Sequence, residues 1–185
     1  MKATLLLLCL TLIATLAPAQ AQPESKPAAA AANPSDVRSI DNILAALYDV
    51  ISGPAGQARD WNRFRTLFWP SARLIPLVPK PDKSGYEPRE FTVDSYITRS
   101  EPFFAKEAFY ESAVANRIEQ WAHIAIVFST YESRHAKAEK PFARGINSIQ
   151  LFNDGQRWWV TSIFWESESP QNPLPDAMLK PPGGK

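Results

Sequence analysis

Two histidines, His123 and His135, are the only side chains of this chain whose ordinary pKa lies close to neutrality. His123 falls within an otherwise apolar run that reads as a strand from Trp121 to Arg134. Burial and a carboxylate such as Asp60 or Glu132 would tune an imidazole there into a general base, suited to proton abstraction next to a carbonyl. The alternative is a neutral ring whose nitrogens are satisfied by backbone or a neighbouring side chain. His135 belongs to the turn that follows and carries less interest.

Arg144 stands before Gly145 at the start of a strand, with Asn147 further along it. A guanidinium there can hold a carboxylate-bearing ligand while Asn147 orients it by hydrogen bonds. It can equally pair across a sheet with Glu132 or Glu166. Tyr131 offers a phenol to a ligand, or packs in the core with its hydroxyl at the rim. Trp61, with the other tryptophans and phenylalanines, either lines a cavity for a flat apolar ligand or simply fills the core.

Several chemistries find no basis. Cys9 is the only cysteine, no two histidines stand at ligand spacing, and no His-Glu-x-x-His pattern occurs, so no metal site is expected. Phosphate-binding glycine loops and a Gly-x-Ser-x-Gly elbow are absent, and no cofactor is expected. A net charge of +1 without a Lys/Arg block makes nucleic acid and anionic membranes poor partners.

The elements that must position these residues are organised around Arg144 to Glu166. Asp154-Gly155 between β-branched and aromatic runs predicts a hairpin, and a two-residue turn would pair Asn153 with Gln156. That register places Asn147, Ile149 and Leu151 on one face with Trp158, Val160, Ser162 and Phe164. The other face carries Ile146, Phe152, Trp159, Ile163 and Trp165. Neither face is polar, so both should be covered, one by the chain's own helices and the other by a second layer or a second copy.

Residues 1–21 read as a secretory signal peptide, with Lys2, an apolar run to Leu16 and a small-x-small end at Ala19 and Ala21. The run is too short for a membrane span. Residues 22–34 form a Pro/Ala-rich linker, and 169–185 a Pro-rich tail. Between them, 35–168 suffices for one domain. A first helix runs from its Ser35 cap to Ile51, and Gly53-Pro54 stops it. Asp60 caps a second helix ending at Pro70, with Arg59, Arg63 and Arg65 toward solvent. Ala72 to Val78 is a strand, Pro79 to Pro88 a loop, and a third helix from Thr92 closes near Pro102. Strands over Phe109–Glu119, Trp121–Arg134 and Phe142–Phe152 precede the last strand of the hairpin. Helices first and antiparallel strands afterwards is an α+β pattern.

This order, with the passage Arg59-Asp60-Trp61 through Phe64, Leu67 and Phe68 to Pro70-Ser71-Ala72-Arg73-Leu74, resembles the nuclear transport factor 2-like superfamily. The strands Ala122-His123-Ile124-Ala125 to Arg134 and Arg144-Gly145-Ile146-Asn147 to Leu151 resemble an exported bacterial, SnoaL-like subgroup. The resemblance implies a cone-shaped α+β fold with three N-terminal helices packed on a curved antiparallel sheet. It also implies a cavity. Where enzymatic branches place an acidic residue after the proline this chain has Ser71, and Leu74-Ile75-Pro76-Leu77 offers no carboxylate, so no ketosteroid-type base carries over.

The resulting expectation is an exported domain, periplasmic or extracellular, that forms a homodimer through its sheet and binds a small, partly apolar molecule without catalysis. An enzyme of the dehydratase, isomerase or cyclase type would need His123 facing the cavity with a carboxylate in reach. A protein-interaction module would instead show a filled interior and an uncovered apolar sheet face.

Overall fold

A computed structural model describes residues 31–181. The expected leader, 1–21, and most of the expected linker, 22–34, lie outside the described residues. Helices α1 (Pro34–Val37), α2 (Ile40–Ile51) and α3 (Trp61–Thr66) come first. Strands β1 (Phe68–Pro79) and β2 (Tyr86–Pro88) follow, then α4 (Val93–Phe104). Four long strands complete the fold: β3 (Tyr110–Trp121), β4 (Ile124–Arg134), β5 (Ala143–Asn153) and β6 (Trp158–Ser167). One sheet has the order β2-β1-β6-β5-β4-β3, so the α+β expectation holds. It is not wholly antiparallel, however, because β1 runs parallel to β6. Among the described residues no helix is long and apolar enough to cross a membrane.

The helices pack on one face of this sheet. Ile43, Leu44, Leu47, Val50 and Ile51 recur at helical spacing along α2 and meet Val127, Ile149, Leu151 and Val160 from the strands. The expected first helix is two: Asn33 caps α1 by accepting from the Ser35 amide, and Ser39 restarts the chain by accepting from the Asn42 amide. The second helix ends four residues before Pro70. The Leu67 carbonyl instead accepts from the Val160 amide, and sheet pairing draws the chain, Pro70 included, into β1. Pro79 to Pro88 is not all loop, since β2 pairs with β1 at its end. Pro102 lies inside α4 rather than closing it.

Arg59 does not reach toward solvent. It is buried at the C-terminal end of α2, donating from Nε to the Ile51 carbonyl at 2.8 Å and from Nη2 to the Gly53 carbonyl at 2.9 Å. Its Nη1 donates to the Gln57 and Pro54 carbonyls at 2.8 and 3.3 Å, and the guanidinium stands 4.9 Å from the Phe104 ring centre. The Ile51 and Gln57 carbonyls are acceptors that the helix end and its turn leave behind, while those of Gly53 and Pro54 also accept from the Phe109 and Gln57 amides.

The hairpin exists, but its turn is wider than the Asp154-Gly155 pair suggests. Asn153 pairs with Trp158, and the Asp154 carboxylate ties the loop by accepting from the Gln156 and Arg157 amides at 2.8 and 2.9 Å. Further up, Leu151 pairs with Val160 but Gln150 with Ser162, leaving Thr161 as an extra residue. This bulge reverses the parity of β6. Trp158 and Val160 face the helices, and past the bulge Ile163 and Trp165 join them on that face, where the two-residue-turn register would put Ser162 and Phe164.

The C-terminal segment is not a free tail. Its 3-10 turn, Asp176–Leu179, lies on the outer face of the sheet, where the Met178 carbonyl accepts from Thr130 Oγ1 at 2.6 Å. Beside it a contiguous apolar strip stays open, with Trp121 77% and Phe128 45% exposed and Ile124, Ile126 and Phe164 among them.

Candidate functional site

Between the helices and the inner face of the sheet lies a cavity of about 260 Å³. One wall is apolar: Leu47 and Ile51 from α2, Phe64 from α3, Leu74 from β1, Ile149 from β5 and Ile163 from β6. The bulge at Thr161 is what brings Ile163 and Trp165 to it. The opposite end is polar and is built from Tyr48, Glu111, Tyr131, Ser133 and Asn147.

Two hydrogen-bond groups order that end. Tyr48 Oη contacts Ser129 Oγ at 2.5 Å and accepts from Asn147 Nδ2 at 3.2 Å. Tyr131 Oη lies 3.0 Å from Ser167 Oγ, and Ser133 Oγ donates to Glu111 Oε2 at 2.7 Å. Burial pushes the Tyr48, Tyr96 and Tyr131 phenols up to about 12, so each stays a neutral donor. Desolvation pushes the Glu111 carboxyl up to about 7, against a smaller opposing effect of the Ser133 hydrogen bond.

Tyr131 and Asn147 are thus the two expected site residues that the structure brings into the cavity. His123 is not. It lies exposed in the two-residue turn between β3 and β4, where Ala122 takes a positive φ of 47° and the His123 carbonyl accepts from the Asn153 amide at 2.8 Å. Ser133 is ten residues of extended chain away, roughly 30 Å. Asp60 serves as the N-cap of α3, accepting from the Arg63 amide at 2.8 Å, and is exposed. Trp61 packs edge-on to Phe64 at 5.6 Å between ring centres and lines a separate pocket with Arg59 and Phe104. Arg144 is held by neither Glu132 nor Glu166. It makes a bidentate pair with Glu168, Nε to Oε2 at 2.8 Å and Nη2 to Oε1 at 3.1 Å, and does not line the cavity.

Glu111 was legible in principle. It stands between Phe109 and Ala113 at strand period two, an acidic side chain in an apolar row. Nothing local marks it as inward, since the row becomes a cavity wall only once Glu111 pairs with Ser133.

Gly145 makes room for Tyr131. A Cβ there would stand 2.3 Å from the Glu166 carbonyl oxygen and 2.6 Å from Tyr131 Oη. Gly145→Ala must therefore part β5 from β6 and displace the phenol as well. The expected cost is about 1–3 kcal/mol, read as a lower urea midpoint with an unchanged m-value.

No family model matches this sequence, and no curated protein matches it. Sixteen chains of solved structure are similar in fold. One, from Thiobacillus denitrificans ATCC 25259 and described as a calcium/calmodulin-dependent protein kinase type II association domain, has a TM-score of 0.51 at 10% identity, over 71% of this chain and 96% of its own. A nuclear transport factor 2-like protein of unknown function from Shewanella baltica OS155 gives 0.49 at 12% identity, covering 70% of this chain and 91% of its own. A protein from Parabacteroides distasonis ATCC 8503 described as a ketosteroid isomerase gives 0.49 at 12% identity, covering 76% and 97%. The shared feature is the fold: helices laid on one face of a curved, unclosed sheet.

Proposed function

We propose that this chain, which has the nuclear transport factor 2-like fold, is an exported domain that binds a small, partly apolar molecule in its cavity and works as a homodimer. The observation that carries the ligand reading is the division of the cavity. An apolar wall can take a hydrocarbon body, while the cluster of Tyr48, Glu111, Tyr131 and Asn147 fixes one polar end of it. A proton-transfer reaction through His123 lacks this support, because the imidazole is on the far turn.

The dimer reading rests on the open strip of Trp121, Ile124, Ile126, Phe128 and Phe164. A second copy is the occupant that fits, since a sheet face can pair with itself about a two-fold axis and a net charge of +1 does not oppose it. The description of the Thiobacillus denitrificans protein as an association domain is in keeping with assembly through this fold. What supports export to the periplasm or the cell exterior is the signal-peptide pattern of residues 1–21: Lys2, the apolar run and the small-x-small end.

Native mass spectrometry of the protein purified from its own host tests both parts. The expected spectrum is a dimer carrying a stoichiometric small-molecule adduct, and Phe128→Glu should shift it to a monomer that keeps the adduct. A monomeric parent would overturn the dimer, and a bare protein that also fails to take up small aromatic probes would overturn the ligand reading.

A further inference from the structure

The polar end of the cavity is chemically one-sided. Of all the residues lining it, Glu111 alone can carry a formal charge near neutral pH; no lysine, arginine or histidine lines it. The titratable groups that face Glu111 are phenols: Tyr48 from α2, Tyr96 from α4 and Tyr131 from β4. Its Oε2 accepts from Ser133, and its Oε1 accepts no hydrogen bond from any described residue. A desolvated carboxyl is expensive to ionise without a cation, and here the protein places open space where the cation would be.

The rest of the lining suits a cation as well. Tyr48, Tyr96, Phe109, Tyr131, Phe142 and Trp165 contribute aromatic rings, whose faces attract positive charge and whose bodies pack on hydrocarbon. A carboxylate or phosphate ligand would meet like charge at Glu111 and find no basic partner.

We propose that the cavity takes a small lipophilic amine, its ammonium on the free oxygen of Glu111 and its hydrocarbon body against the aromatic and aliphatic wall. This assignment rests on the ligand-binding reading and gives it a chemical class. Binding the ammonium favours the ionised carboxylate, so amine affinity rises with pH across the titration of Glu111 and levels off above it.

The test is calorimetric titration of the full chain with benzylamine, which stays protonated throughout, and with benzyl alcohol and phenylacetate as neutral and anionic counterparts, at pH 6 and pH 8. Benzylamine should bind about tenfold more tightly at pH 8 than at pH 6, in step with ionisation of a group near 7. Glu111→Gln, which is nearly isosteric and still accepts from Ser133, should lose at least tenfold in benzylamine affinity at pH 8 together with the pH dependence. Benzyl alcohol should show neither effect. If benzyl alcohol or phenylacetate binds while benzylamine binds no better, or if the Gln variant keeps the amine, the assignment is overturned and the ligand-binding cavity stands. If none of the three binds, the cavity reading falls and takes the amine with it.

Discussion

Arg59→Ala should unfold this domain more readily than any comparable truncation of a partly polar side chain. The substitution strips donors from four carbonyls at the end of α2, those of Ile51, Gly53, Pro54 and Gln57, and opens a hole against Phe104. Charged hydrogen bonds of this kind are worth about 1.5–3 kcal/mol each when intact, and water reaching the vacated site recovers part of the loss. A net cost of about 3–5 kcal/mol is expected, comparable to breaking a buried charged network and a large share of a single domain's stability. Thermal unfolding should show it as a fall on the order of 10 °C. Arg59→Lys keeps the charge but has no fork to span four acceptors, so it should recover less than half. The cavity wall should be disturbed with it, because Leu47, Tyr48 and Ile51 lie on the end of α2 that Arg59 anchors, and Gly53 pairs with Phe109 at both backbone groups. A melt within 2–3 °C of the parent, on the scale of a single small effect, would show that the α2 terminus is held by something else.

Glu111→Gln should make the protein more stable, and only above acid pH. In the folded chain desolvation pushes this carboxyl up to about 7, while in the unfolded chain it has the ordinary value of 4.5. Between those two values the folded state keeps a proton that the unfolded state has released, so folding stability declines as pH rises through this window. Below about 4.5 both states are protonated and no penalty exists; above about 7 the whole penalty is present, about 3 kcal/mol from the size of the shift. Gln carries no such titration. Urea unfolding at pH 4.5, 6 and 8 should find the variant equal to the parent at the first and ahead by up to about 3 kcal/mol at the last. The difference between the two proteins is the quantity to follow. Carboxylates with the opposite sign, such as Glu168, held down by the Leu174 amide and by Arg144, lose stability as pH falls and bend both curves alike. A difference that does not grow with pH would place the Glu111 carboxyl in water. Together with the calorimetric result, this would mark the residue as one kept for its ligand at a cost in stability.

How far these features were readable differs from residue to residue. Asp60 and Thr92 announce their helices because a cap needs only its own side chain and the amide three residues on. The same locality explains the error at Arg59, whose spacing suggests a solvent-facing arginine while its acceptors come from the preceding turn. His123 misled for a related reason: apolar neighbours on both sides look like strand interior, but the two long strands pair so that Trp121 meets Ile124 and leave it in the bend between them.

Tyr131 and Asn147 stand out in the sequence by the chemistry of their side chains, and the pairing of β4 with β5 puts both on the inner face. Glu111 obeys the same alternation but was hidden, since its meaning depends on Ser133, Tyr48 and Tyr96, which lie far away in sequence. By itself, the order and periodicity of residues 35–168 determined an α+β fold with helices before strands, the hairpin at its centre and a sheet apolar on both faces. Local preferences and alternation suffice for that much. Only the tertiary structure decided the parity switch at Thr161, the burial of Arg59 and the lone carboxyl in the cavity. Each of those depends on which strand or turn lies opposite, and a chain acquires that partner only by folding.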